Sequence, residues 1–154
     1  MPSRRRQMAM NPKEILAFLR GQQKIVLVSN GPQGFPHPIH MLYHCDTEGH
    51  LWMTSYAKAQ KVKNLERDPR ASLVVEESEP YETARSVIVY ARGEIVRDAD
   101  AVRRTFRNIA RRGIPEVPAP AGGNPVDRAG KRVALRFIPE RYVSWDHARL
   151  GGVY

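Results

Sequence analysis

Six short stretches of this chain are rich in β-branched and aromatic residues and end in turn-forming ones: KIVLVSN (24–30), HPIHMLYHC (37–45), LWMTS (51–55), RASLVVEE (70–77), RSVIVYARGEIV (85–96) and KRVALRFIPERYVSWD (131–146). Length and composition mark each as a strand. GPQG (31–34) and DTEGH (46–50) are too short for a crossover, so the first three strands form an antiparallel meander. Gly93 predicts a bulge or bend in the fifth strand, and Pro139 a break in the sixth.

Three segments switch to helical spacing. In NPKEILAFLRG (11–21), Asn11 is an N-cap, Pro12 opens the helix, Glu14 completes a capping box and Gly21 ends it. Ile15, Leu16, Phe18 and Leu19 form its apolar stripe. A second helix is expected over 56–67, stopped by Asp68-Pro69, and a third over 98–112, capped by Asp98. GIPEVPAPAGGNP (113–125) reads as a loop, and residues 1–10 as a flexible basic arm ahead of a single domain spanning 11–154. The pattern predicts a mainly β (α+β) fold with short helices, built on a six-stranded antiparallel barrel. A barrel of that size has little interior room, so a ligand site belongs on its outside, between subunits.

The 154 residues suit one domain, and 42% hydrophobic with 27% charged residues is an ordinary globular balance. Cys45 is the single cysteine, which leaves no internal disulfide and suits a reducing, cytoplasmic setting. No apolar run reaches the length of a membrane span, and the arginines of MPSRRRQMAM have no apolar stretch behind them. The net charge of +9 points to anionic partners: nucleic acid, anionic lipid or a small polyanion.

The segment TSYAKAQKVKNLERDPR (54–70) makes that charge local. Lys58, Lys61 and Lys63 follow Thr54 and Ser55, with no acid before Glu66. With Ser55 as the N-cap of the 56–67 helix, two hydroxyls, free amides and the ammonium groups of Lys58 and Lys61 converge where helices usually place Asp or Glu. That is a phosphate-binding composition. A solvated, Lys-rich helix face accounts for it equally well, because no Walker-type loop is present. His37, His40 and His44 lie on one strand whose alternating faces separate His37 from the others, so no metal site is expected. Trp145 is either core or an aromatic lid over a planar ligand. No nucleophile elbow, Rossmann glycine pattern or recognition helix is present.

The order of these pieces resembles the pyridoxamine 5'-phosphate oxidase-like split-barrel superfamily over roughly residues 11–150. The resemblance is carried by GFPH (34–37), the strand LWMTS, the K-x-x-K-x-x-N-L-x-x-D-P-R spacing of 58–70 and the long strand after YETA. RYVSWDHARLGG (141–152) resembles the ending of its deazaflavin (coenzyme F420)-dependent oxidoreductases. The resemblance implies an FMN-binding-protein-like split barrel that forms a homodimer, with two flavin-type cofactors at the subunit interface. It implies that Thr54, Ser55, Lys58 and Lys61 hold the cofactor phosphate. Ile39, His40 and Met41 would back the ring, largely through main chain, and Trp145 would approach from the partner subunit.

Coenzyme F420 carries a phosphodiester and a glutamate tail, so it needs a longer basic track than FMN. The surplus charge and the ending therefore favour F420, with FMN as the alternative cofactor. The expected activity is hydride transfer to an electron-poor small molecule such as an enone, quinone or imine. His40, Tyr43, His44 and His147 are available as proton donors, with none singled out. A non-catalytic cofactor carrier is the competing reading. Nucleic-acid binding is disfavoured, for want of an interleaved aromatic and basic platform. The acceptor pocket would be shaped by 77–84, 113–130 and the C-terminal segment.

Overall fold

The computed structural model describes residues 3–111 and 130–152. Its elements are α1 (Arg4–Met8), α2 (Pro12–Gly21), β1 (Lys24–Asn30), β2 (Pro36–Leu42), β3 (His44–Cys45), β4 (Leu51–Tyr56), α3 (Gln60–Arg67), β5 (Arg70–Glu77), β6 (Arg85–Val96), α4 (Ala99–Ala110) and β7 (Arg132–Asp146). The proline-rich segment read as a loop over 113–125 lies outside the described residues. All seven strands belong to one antiparallel sheet, in the order β2-β1-β5-β6-β7-β4-β3. β2 and β3 occupy opposite edges of that sheet, yet only Tyr43 separates them in sequence. The sheet must therefore curl until its edges meet, which makes it a split barrel.

Tyr43 also explains why the second expected strand is two strands, so that the described residues hold seven strands, not six. Its side chain is fully buried, its hydroxyl donates to the Leu19 carbonyl at 2.5 Å and its N–H donates to the Gln23 carbonyl. Pinned to the end of α2, the backbone cannot stay in one ladder across this point.

Alternation sorts the strands into two faces. Leu27, Leu51, Met53, Leu73, Val75, Val87, Val89, Leu135 and Phe137 point inward and are fully buried. Val62 and Leu65 of α3 and Ile15, Phe18 and Leu19 of α2 join this core. Burying each large side chain stabilises the fold by about 1.5–3 kcal/mol. The capping box of α2 is present: Asn11 accepts from the Glu14 N–H, and the Glu14 carboxylate accepts from the Asn11 N–H at 2.7 Å. α4 lies on the outside of the barrel, with Val102 against Ala134 of β7 and flanked by Trp52, Val96 and Phe106. Asp98 caps it by accepting from the Ala101 N–H at 2.9 Å.

Four expectations need correction. Gly93 sits in unbroken register opposite Phe137; a Cβ there would lie 2.9 Å from the Phe137 ring, so the glycine makes room for an aromatic. The bulge falls at Tyr90/Ala91 instead. It absorbs Pro139 and lets β7 run unbroken for fifteen residues. The helix expected over 56–67 starts at Gln60 with Ala59 in the cap position, so Ser55 is not its N-cap. Finally, residues 3–10 are not a loose arm. Arg4–Met8 is helical, Met10 is buried with its N–H donating to Ser144 Oγ at 3.0 Å, and Arg149 Nη1 donates to the Ala9 carbonyl.

Candidate functional site at the barrel seam

β4 pairs with β7 along its whole length, but with β3 only at Leu51 and Trp52. β2 pairs with β1 alone. Among the described residues, 53–56 and 36–42 thus each keep one edge without a strand partner, and the curl of the sheet brings both edges to the seam. Edge strands present alternate N–H and C=O groups outward. Pro36 and Pro38 are tolerated in β2 because it is an edge. Ile39 and Met41 pack inward on the core, whereas His40 is exposed on the outer face, opposite Val26. Side chains of two of the three expected ring-backing residues are therefore committed to the core, and only their main chain is available to the seam.

The lysine segment borders the same seam. β4 runs on to Tyr56 because Tyr56 still pairs with Arg132. Thr54 and Ser55 consequently face opposite ways. Ser55 is 2% exposed among the inward residues, its Oγ donating to the Tyr56 carbonyl at 3.2 Å, while Thr54 shares the outer face with Trp52 and Tyr56. The two hydroxyls do not converge as side chains. Lys58 is exposed in the turn before α3, so it and Lys61 are not helix neighbours. α3 starts with no side-chain cap and no acid in its first turn.

Arg132 completes this group, and sequence reading missed it. Its guanidinium stacks over the Tyr56 ring at 4.0 Å and near the Phe106 ring at 5.2 Å. Its Nε is buried without a hydrogen-bond partner among the described residues. Burial, reinforced by the Arg132 charge, holds the Lys61 ammonium below the usual lysine range. The available signal was the even spacing of Arg132 and Arg136, which puts both on one face of a strand. Their partner strand, however, lies some eighty residues earlier in sequence, and local patterns do not reveal such pairings.

Elsewhere on the described surface, arginines are mostly matched by acids: Arg85 with Glu77, Arg92 with Glu140, Arg97 with Glu66, and Arg149 with Glu14. The opposite end of α3 is a closed network in which Asp68 accepts from Arg70 and Asn30. Those bonds hold its carboxyl well below the usual range. Asp46, Glu48 and His50 bring possible ligand atoms within 4.8 Å of one another. The Asp46 oxygens, however, already accept from Trp52 Nε1 and from the Glu48 and His50 N–H groups, so this trio builds the β3–β4 turn.

Among the proton-donor candidates, Tyr43 is buried on the Leu19 carbonyl, His44 is buried beside Trp52, and His147 meets the Tyr81 carbonyl. His40 lines an open outer-face cavity of about 310 Å³, with Lys24, Val26, Val74 and Glu76. Trp145 is half-buried on the outer face of β7, opposite Ser86. Thirteen positions of β7 separate it from Arg132 (132 to 145), roughly 40 Å along a strand. Val26, Val28, Val74, Ile88 and Val143 line the outer face near it and are half-buried. Among the described residues, no helix is long and apolar enough to cross a membrane.

Comparison with known proteins places this geometry. Among solved structures, a conserved hypothetical protein of Mycobacterium tuberculosis superposes with a TM-score of 0.83 at 34% identity, covering 99% of this chain and 95% of that one. An FAD-binding protein of Mesorhizobium loti has a TM-score of 0.71 at 18% identity over 90% of this chain and 96% of that one. An F420 reductase has a TM-score of 0.65 at 23% identity, over 82% and 93%. No curated protein sequence matches the chain. The family model described as pyridoxamine 5'-phosphate oxidase matches residues 12–146, and the chain belongs to that family.

Proposed function

We propose that this protein is a coenzyme F420-dependent oxidoreductase that works in the cytoplasm as a homodimer, with FMN as the alternative cofactor. The observation that carries the reading is the cationic group of Lys58, Lys61 and Arg132, which has no acid partner among the described residues and sits beside two unpaired strand edges. A bound phosphate would supply the missing charge. The edge of β2 would hydrogen-bond a planar ring through main chain at Ile39, His40 and Met41. Thr54 would add its hydroxyl and Ser55 its main chain.

The cofactor, when bound, supplies a hydride to an electron-poor carbon, and a proton from His40 or water completes the reduction. Residues of this chain would orient the ring, hold its phosphate and exclude water. The cavity beside His40 suits a small acceptor. The separation of Trp145 from Arg132 favours a site shared between subunits, because one chain cannot bring both to one ring. The half-buried valines of the outer face suit a second copy. The F420 reductase among the structural relatives supports the choice of cofactor, as does the extra basic track that a glutamate tail requires.

Titrating the protein with F420 and with FMN tests the proposal. Micromolar or tighter binding of F420 is expected, and Lys58→Ala and Lys61→Ala should each weaken it by ~1–3 kcal/mol. Preference for FMN would move the protein to the alternative. Binding of neither would overturn the reading.

A further inference from the structure

We propose that Arg132 shares with Lys61 a single phosphate-sized anion site on the shelf formed by Tyr56 and Phe106. This rests on the cofactor reading and names the group that fixes the phosphate. Three observations carry it. The guanidinium carbon lies 4.0 Å from the Tyr56 ring centroid and 5.2 Å from that of Phe106, so two aromatic contacts restrict its position before any ligand arrives. Its Nε is buried and has no hydrogen-bond partner among the described residues, a cost that a bound oxyanion would remove. The neighbouring side chain is a second cation, Lys61, rather than an acid, and no ion pair joins either to a carboxylate among the described residues.

Burial, and after it repulsion from Arg132, disfavours the Lys61 ammonium in the folded chain. Protonated Lys61 therefore costs stability at neutral pH. That cost is relieved in two ways: as pH rises through the lowered pKa towards the ordinary one, or when an anion binds. Arg132 offers a fork of donors where Lys61 offers a point charge, which suits two oxygens of one phosphate.

The test compares wild type, Arg132→Gln and Arg132→Lys with four ligands: F420, FMN, riboflavin and the phosphate-free ribityl-deazaflavin. Arg132→Gln should weaken the phosphorylated ligands on the order of 10–100-fold and leave the phosphate-free ones unchanged, with Arg132→Lys between. Equal loss for both kinds, or no loss, would overturn the proposal while leaving the cofactor reading intact. If no cofactor binds, inorganic pyrophosphate still decides. It should raise the thermal midpoint of wild type but not of Arg132→Gln, and raise the Lys61 pKa seen by NMR. Equal responses in both proteins, or none in wild type, would sink the shared site.

Discussion

Arg132 and Arg136 lie on the same face of β7, opposite Tyr56 and Trp52 of β4. Each stacks on the aromatic it faces, and each has a buried Nε with no hydrogen-bond partner among the described residues. Their charges are handled differently. On the other side of β7, Arg136 faces Glu94 of β6, with Nη1 3.8 Å from the carboxylate. Following the same register, the residue facing Arg132 would be Asp98. The ladder stops at Val96, however, and the chain turns away into α4, where the Asp98 carboxylate caps the helix. One acid completes a ladder pair and the other is diverted to a helix start. A helix cap has left a strand arginine without its counter-ion, beside Lys61. An anion site can thus arise without any dedicated motif, from where a strand ends.

The largest expected effect comes from removing the platform on the paired side. Trp52 packs against the α4 cluster and donates Nε1–H to Asp46 at 2.8 Å. Trp52→Ala should cost about 2–3 kcal/mol, below a full core truncation because the ring is half-exposed. For Asp46, burial raises the carboxyl pKa, but the bonds from Trp52, His50 and Glu48 outweigh it and the net pKa is lowered. Its contribution is therefore present above the unfolded pKa and is lost as pH falls through the folded one. Thermal melts from neutral to acid pH should show wild type losing more stability than Trp52→Phe, which lacks the donor. Parallel curves would mean that the indole bond is not what lowers the Asp46 pKa.

Asp98→Ala asks whether the diverted acid still matters to Arg132. Loss of the cap should cost ~1 kcal/mol, or about 2–4 °C in thermal midpoint, and Asp98→Ser should recover most of it. Anion binding at Arg132 should not change. A gain in phosphate affinity in Asp98→Ala would show that Asp98 acts as a long-range counter-ion, and the contrast with Glu94 would weaken.

These residues also show what could be read along the chain and what could not. Strands, caps and turns were legible because their signals are local: the Asn11–Glu14 box, Asp98 at a helix start, and glycines Gly34 and Gly49 at turns with positive φ. The split at Tyr43 was not, because it depends on a hydroxyl reaching a helix end. The boundary at Ser55 was misplaced because β4 is extended by pairing with β7, far away in sequence. Lys58 and Lys61 announced the candidate site through the absence of nearby acids. Arg132 enters it only through strand register and stacking, and it lies in an Arg-rich chain where one more arginine carries no signal.

Glu94→Gln has the smallest expected effect and separates the two ingredients of the contrast. The pair is half-exposed and its charges are 3.8 Å apart, so its removal should change stability by less than ~1 kcal/mol. Arg136 then resembles Arg132 in lacking an acid, but among the described residues it has no second cation of the Lys61 kind and no second aromatic beyond Trp52. Pyrophosphate should therefore protect Glu94→Gln no more than wild type in thermal melts, and Arg132→Gln should remove protection from both. New protection in Glu94→Gln that survives Arg132→Gln would mean that an unpaired stacked arginine suffices on this face. The pairing with Lys61 would then be incidental to anion capture.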